Sequence, residues 1–260
     1  MSSQDDLAKN LERASELAGR AAEAGANIVL LPENFAYMGT DEGKRSVAEP
    51  LDGSGPIVRA LFEMARRSNV YIIAGGMPES SGDRDRPFNT CAVVTPAGTV
   101  AARYRKVHLF DVEVGDGQRY CESATTTPGS EAVTVSIHGF EVGLSVCYDV
   151  RFPELYRKLA DQGAELIVVP AAFTLATGKD HWHVLLRARA IESQAYVIAA
   201  AQWGKHPRGR QTFGKTSIID PWGEIVAQVS EGEGAITATL DPAYLARVRT
   251  NLPSLQHRRL

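Results

Sequence analysis

The sequence is poor in cysteine and in clustered charge. Its three cysteines in 260 residues are Cys91, Cys121 and Cys147, an odd number with no Cys-x-x-Cys pair. That argues against a disulfide framework and a zinc ribbon, and leaves at least one thiol free. The six histidines offer only His181-Trp-His183 as a close pair, with no third ligand at metal spacing, so no metal is expected. The formal net charge is -3 and the basic residues are scattered, which gives no footprint for nucleic acid or a membrane surface. No apolar run approaches the roughly eighteen residues of a membrane span, and the polar N-terminus has no signal-peptide core. These absences point to a cytoplasmic protein whose partner is a small molecule.

What is present is a hydrophobic fraction of 44%, enough for one large core, so residues 1–260 are read as a single domain. From Asp5 to Ala24 the residues Leu7, Leu11, Ala14, Leu17, Ala18 and Ala21 keep helical spacing. Gly25 ends that helix, and Ile28 to Leu31 is a wholly apolar strand closed by Pro32-Glu33. A helix from Pro56 to Arg67, a strand from Val70 to Ala74, and two strands around the turn Thr95-Pro-Ala-Gly98 follow.

The same order recurs later. Helix Pro153 to Gln162 leads through Gly163-Ala-Glu to strand Leu166 to Val169 and Pro170. Helix Asp180 to Gln194 then precedes strand Tyr196 to Ala200, and two strands surround Asp220-Pro-Trp-Gly223. Two such units stack sheet on sheet with helices outside, which predicts an α+β fold, a four-layer αββα sandwich. The repeat also exposes an absence. A strand from Phe140 to Cys147 precedes the first helix of the second unit, whereas Met1-Ser-Ser leaves no room for its counterpart. A strand is therefore expected ahead of Ser2.

Cys147 falls on the corner between that strand and the helix opened by Pro153, where a side chain can be exposed at a sheet end and faced by backbone N–H groups. Alone, it reads as readily as a buried structural cysteine. Glu33 stands where the second unit has Ala171, and a carboxylate at the end of a buried strand is costly unless paired or used. Lys106 ends the strand Ala101 to Arg105 and alone reads as a surface lysine. The stretch Val107 to Ser130 is too irregular for an element, yet carries Asp111, Glu113 and Glu122 as a site rim can. Together, Glu33, Lys106 and Cys147 form a chemical set. An ammonium and a helix start lower a thiol pKa from about 8.5, a carboxylate takes the thiol proton, and Lys106 with the Tyr148 N–H holds an oxyanion.

Leu30-Leu-Pro-Glu-Asn-Phe35, Tyr104-Arg-Lys-Val-His-Leu-Phe-Asp111 and Val146-Cys-Tyr-Asp-Val-Arg-Phe-Pro-Glu154 resemble the three signatures of the nitrilase superfamily, the carbon–nitrogen hydrolases. The resemblance covers nearly the whole chain. It implies a nitrilase-type sandwich, a Glu33-Lys106-Cys147 triad, and a fourth catalytic glutamate matching Glu122 in preference to Glu113. His181 to Glu192, Ala199 to Gln202 and Gln256 to Arg259 resemble the Nit branch, especially its deaminated-glutathione amidases. The reaction so implied is amide hydrolysis without a cofactor, on deaminated glutathione or on 2-oxoglutaramate, the substrate of the neighbouring ω-amidases. It also implies at least a homodimer, and an N-terminal strand before Met1. An acidic substrate wants a fixed cation, for which Arg151 is the candidate, with Tyr148, Phe173 and Thr174 lining the pocket.

Three rival readings compete with this one. Gly209-Arg-Gln-Thr-Phe-Gly-Lys-Thr216 fits a phosphate-binding loop, but Thr216-Ser-Ile-Ile leads into a strand where that loop must open a helix. Gly143-Leu-Ser-Val-Cys147 nearly fits a serine-hydrolase elbow, but its last glycine is Cys147 and Ser145 should be buried. A catalytically silent interaction protein on the same fold is separated by activity alone.

Overall fold

The computed structural model describes residues 1–115 and 119–259. In the first half, α1 (Leu7–Glu23) leads to β1 (Ile28–Leu30), then α2 (Asp41–Ser46), α3 (Pro56–Ser68), β2 (Tyr71–Glu79), β3 (Phe88–Val94) and β4 (Val100–Arg105). Asp6 starts α1 by accepting the Lys9 N–H, and Asn69 stops α3 in the left-handed region at φ 50°. Strands β5 (Asp111–Glu113) and β6 (Arg119–Cys121) pair between the halves. The second half runs β7 (Thr134–Ile137), β8 (Phe140–Leu144), α4 (Pro153–Asp161), β9 (Leu166–Val168), α5 (Leu175–Ser193) and β10 (Tyr196–Ala199). It closes with β11 (Trp203–Lys205), β12 (Gln211–Phe213), β13 (Ser217–Ile219), β14 (Ile225–Gln228) and α6 (Pro242–Asn251).

The main sheets have the orders β1-β2-β3-β4 and β14-β13-β10-β9-β8-β7. Pairing repeats along with sequence. Like β1 and β2, β9 and β10 are parallel, and each pair continues into an antiparallel hairpin, β3-β4 or β13-β14. One apolar cluster joins Ile73, Val93 and Tyr104 of the first sheet to Val142, Leu144 and Ile167 of the second, and extends to Leu159, Trp182 and Leu186 on α4 and α5. A second cluster packs Leu17 of α1 and Leu61 of α3 on Val29, Ile72 and Ala92. The layers are thus helix, sheet, sheet, helix, as the repeat predicts.

Several boundaries differ from expectation. Strand β2 continues to Glu79 through a bulge between Ala74 and Met77. A Cβ on Gly75 would sit 2.1 Å from the Pro170 Cβ, and one on Gly76, whose φ is +59°, 2.6 Å from the Glu33 Cγ. These two glycines let the strand ends carrying Glu33 and Pro170 converge. The rim is not structureless: it contains the β5-β6 pair and a 3₁₀ turn from Glu122 to Ala124, while residues 116–118 lie outside the described residues. Three-residue strands of mixed polarity carry too little alternation to be read from sequence. Among the described residues no helix is long and apolar enough to cross a membrane.

Among the described residues β1 pairs only with β2, and its other edge faces a cavity of about 460 Å³. Across that cavity residues 235–240 pair with no strand, and Met1 lines it, its carbonyl accepting the Trp203 N–H at 2.8 Å.

Candidate active site

Where β8 ends, Val146 is extended and Cys147 turns into the left-handed region at φ 48°, opening a 3₁₀ turn to Arg151. A non-glycine residue held there costs about 1–3 kcal/mol, a strain typical of functional corners. The Cys147 N–H donates to the Pro170 carbonyl at 2.8 Å, whereas the Tyr148 N–H takes no backbone acceptor among the described residues. Glu33 follows β1 and Pro32, and Asn34, at φ 59°, turns the chain away. Lys106 follows β4 directly, its N–H given to the Asn89 carbonyl at 2.8 Å.

These elements bring Glu33, Lys106, Glu122 and Cys147 to one pocket of about 480 Å³, with Tyr148, Phe173 and Thr174 in its walls. The Lys106 Nζ lies 3.0 Å from Glu33 Oε1 and 2.8 Å from Glu122 Oε2, so one ammonium bridges two carboxylates. Asn89 ties the same carboxylates, its Nδ2 donating to Glu33 Oε1 and Glu122 Oε1 at 3.0 Å each. Glu33 Oε2 accepts the Ala172 N–H at 2.9 Å, and Glu122 Oε2 the Phe110 N–H at 2.8 Å. Gln202 fixes the Glu33 backbone by donating to its carbonyl at 3.0 Å.

The electrostatics follow from burial and this bridge. Burial opposes the charged form of Glu33, but the Lys106 ammonium and a hydrogen bond from the Cys147 thiol outweigh it and bring the carboxyl down to about 2. Burial likewise opposes the Lys106 charge, and Glu122 and Glu33 reverse the effect and raise its pKa. The thiol goes the other way from the sequence expectation. Burial first, then the Glu33 charge, push Cys147 well above its ordinary value, and Lys106 offsets them only in part. At rest the pair is a neutral thiol beside a carboxylate.

Arg151 is not among the pocket-lining residues. Its Nη1 lies 3.2 Å from His181 Nδ1, and its guanidinium stacks 5.0 Å from the centre of the Phe173 ring. Cys147 is left-handed at φ 48° and the turn from it to Arg151 is 3₁₀, so the side-chain phase of an α-helix does not carry from Cys147 to Arg151. Glu113 is exposed on β5 and pairs with Arg119 at 3.6 Å, away from Glu122. Ser145 is buried, bonded to Tyr156 at 2.9 Å and the Val168 carbonyl at 2.8 Å. The Gly209 to Thr216 stretch forms β12 and leads to β13 with no helix.

Four residues that the sequence reading did not single out now matter. Asn89 has no sequence signal. Asp149, fully buried within the Cys147 motif, binds Tyr104 and His108 of the Lys106 motif. Lys44 and Arg210 line the pocket from α2 and from the loop before β12.

A fixed carboxylate, a bridging ammonium and a buried thiol lining one pocket can take up a proton, hold an oxyanion and attack a carbonyl. Residues 1–250 match the family model described as carbon-nitrogen hydrolase. The chain belongs to the carbon–nitrogen hydrolases. A deaminated glutathione amidase of Synechocystis is 49% identical over 99% of this chain and 95% of its own length. The omega-amidase NIT2 of Xenopus tropicalis is 37% identical over 96% of this chain and 90% of its own. The solved NitFhit protein of C. elegans superposes with a TM-score of 0.91 at 39% identity, covering 100% of this chain and 63% of that one. As a carbon–nitrogen hydrolase of the nitrilase superfamily's Nit branch, the protein is an amidase.

Proposed function

We propose that this carbon–nitrogen hydrolase cleaves deaminated glutathione to 2-oxoglutarate and cysteinylglycine, with Cys147 as nucleophile. The observation that carries the reading is the Lys106 bridge between Glu33 and Glu122 beside the Cys147 thiol, in one pocket.

The Cys147 sulfur attacks the amide carbonyl carbon while its proton passes to Glu33. Charge gathers on the carbonyl oxygen, where Lys106 and the Tyr148 N–H receive it. Collapse breaks the C–N bond, Glu33 returns the proton to the leaving amine, and a thioester remains. Water then gives a proton to Glu33 and attacks the thioester carbon. The carboxylate product leaves, and the sulfur regains the proton. Glu122 keeps the ammonium charged and aimed, because Lys106 would otherwise pair with Glu33 alone and draw its proton affinity down further.

The alternative is ω-amidase activity on 2-oxoglutaramate, which releases ammonia instead of a dipeptide. A pocket of about 480 Å³ lies within the usual range for larger ligands of about 300–1,000 Å³, and favours the bulkier substrate. Assaying both compounds side by side is expected to give a kcat/KM at least about tenfold higher for deaminated glutathione. A preference for 2-oxoglutaramate overturns that choice, and no turnover of either amide would favour the silent interaction protein.

A further inference from the structure

The same pocket holds more positive charge than the Glu33-Lys106-Cys147 chemistry uses. Among the described residues its lining carries Glu33, Asp41 and Glu122 against Lys44, Lys106, Arg119, Arg208 and Arg210. Lys106 is satisfied by its two carboxylates, and Arg119 pairs with Glu113. Lys44 and Arg210 differ from these. Among the described residues neither forms an ion pair within 4 Å. Arg210 gives one long bond of 3.4 Å to the Ala172 carbonyl and lies 5.6 Å from the centre of the Tyr120 ring, and its buried Nε has no hydrogen-bond partner among the described residues. Burial, with the Arg210 charge adding to it, holds the Lys44 ammonium below its ordinary pKa, against the pull of Glu122 and Glu33. Two cations lining one pocket are therefore partly desolvated, and among the described residues no carboxylate lies within ion-pair distance of either, an arrangement that costs free energy until an anion arrives.

We propose that Lys44 and Arg210 together bind a carboxylate on the acyl side of the substrate. This rests on the function proposed above and names the feature of the substrate that the pocket selects. An acyl-side anchor has a mechanistic advantage over one on the leaving amine. It still holds the thioester after the amine has gone, so the carbonyl keeps its place against Lys106 while water attacks. The two cations come from different halves of the pseudo-repeat, Lys44 from the short helix after Glu33 and Arg210 from the loop before β12, so the anion also links the two sheets' rims. Arg210 supplies the planar fork suited to a carboxylate and Lys44 a point charge.

Lys44→Met and Arg210→Met are each expected to raise KM about 10- to 100-fold for deaminated glutathione and for 2-oxoglutaramate alike, with kcat changed less than KM. The preference for 2-oxoglutaramate over uncharged butyramide should fall by a similar factor, and Lys44→Arg should restore part of it. Affinity for 2-oxoglutarate, read by calorimetry, should weaken in step. Unchanged KM and unchanged 2-oxoglutarate binding would overturn the proposal, as would a KM increase confined to deaminated glutathione, which would place the cations on the leaving-amine side. Failure of the functional reading shows differently, as a wild type that cleaves neither acidic amide. Calorimetry with 2-oxoglutarate still decides between clamp and no clamp in that case.

Discussion

Cys147→Ala is expected to lower the release of dipeptide or ammonia by about 10⁴-fold or more while leaving the fold intact, because in the proposed mechanism the residue supplies the bond-forming atom. Thermal unfolding should move by only a few degrees, since alanine keeps the Cβ and the left-handed corner is held by the Cys147 N–H to Pro170 and by neighbouring bonds. Activity that survives the substitution would refute Cys147 as nucleophile. A second readout tests how the thiol is activated. Burial and the Glu33 carboxylate both disfavour the thiolate and raise the Cys147 pKa, while Glu33 stays ionised down to about pH 2. At neutral pH the proton is therefore on sulfur and the base is vacant. Alkylation of the wild type by iodoacetamide should be slow at pH 7 and keep rising with pH through the ordinary thiol range without a plateau, whereas turnover is expected at pH 7 because, in the proposed mechanism, Glu33 takes the proton during attack. An alkylation rate already at its plateau at pH 7 would show a pre-formed thiolate and remove the need for Glu33 as base.

The order of elements and the sandwich were legible because the repeat writes them twice, and Glu33 because its counterpart in the second unit is Ala171. The first turns of α5 were not. Gly178 weakens the helical signal there, yet a Cβ on it would fall 2.3 Å from the Phe213 Cβ, so close packing of α5 on β12 sets that residue. The direction of the Cys147 shift was hidden for a related reason. Sequence shows that an ammonium and a helix start are near, but the depth of burial and the distance to Glu33 exist only after the sheets close. Arg151 carries the same lesson in geometry: its spacing from Cys147 is visible in sequence, but the 3₁₀ winding that turns it toward His181 is not.

Asp149→Ala should produce the largest loss of stability of any change near the site. The fully buried carboxylate accepts from the Tyr104 hydroxyl at 2.8 Å and the Val146 N–H at 2.9 Å through Oδ2. Through Oδ1 it meets the His108 N–H at 3.1 Å and the His108 Nδ1 at 2.7 Å. Alanine leaves these groups buried or half-buried without an acceptor, at about 1–3 kcal/mol each where desolvation is complete, so a total of about 3–5 kcal/mol is expected. For a chain of this size that is a fall in melting temperature of roughly 10 °C or more. The same bonds clamp the stretch Lys106 to His108 against the turn Cys147 to Arg151, so they also set the ammonium relative to the thiol. Measured well below the lowered melting temperature, kcat should fall by about 10²-fold with KM changed much less, because Lys106 and Cys147 lose their register while the walls that bind the substrate remain. Asp149→Asn separates the two effects: its amide retains an acceptor oxygen but turns an NH₂ toward donors, so it should recover part of the stability and little of the rate. An Asp149→Ala variant with wild-type kcat would show that Lys106 and Cys147 are aligned without this clamp.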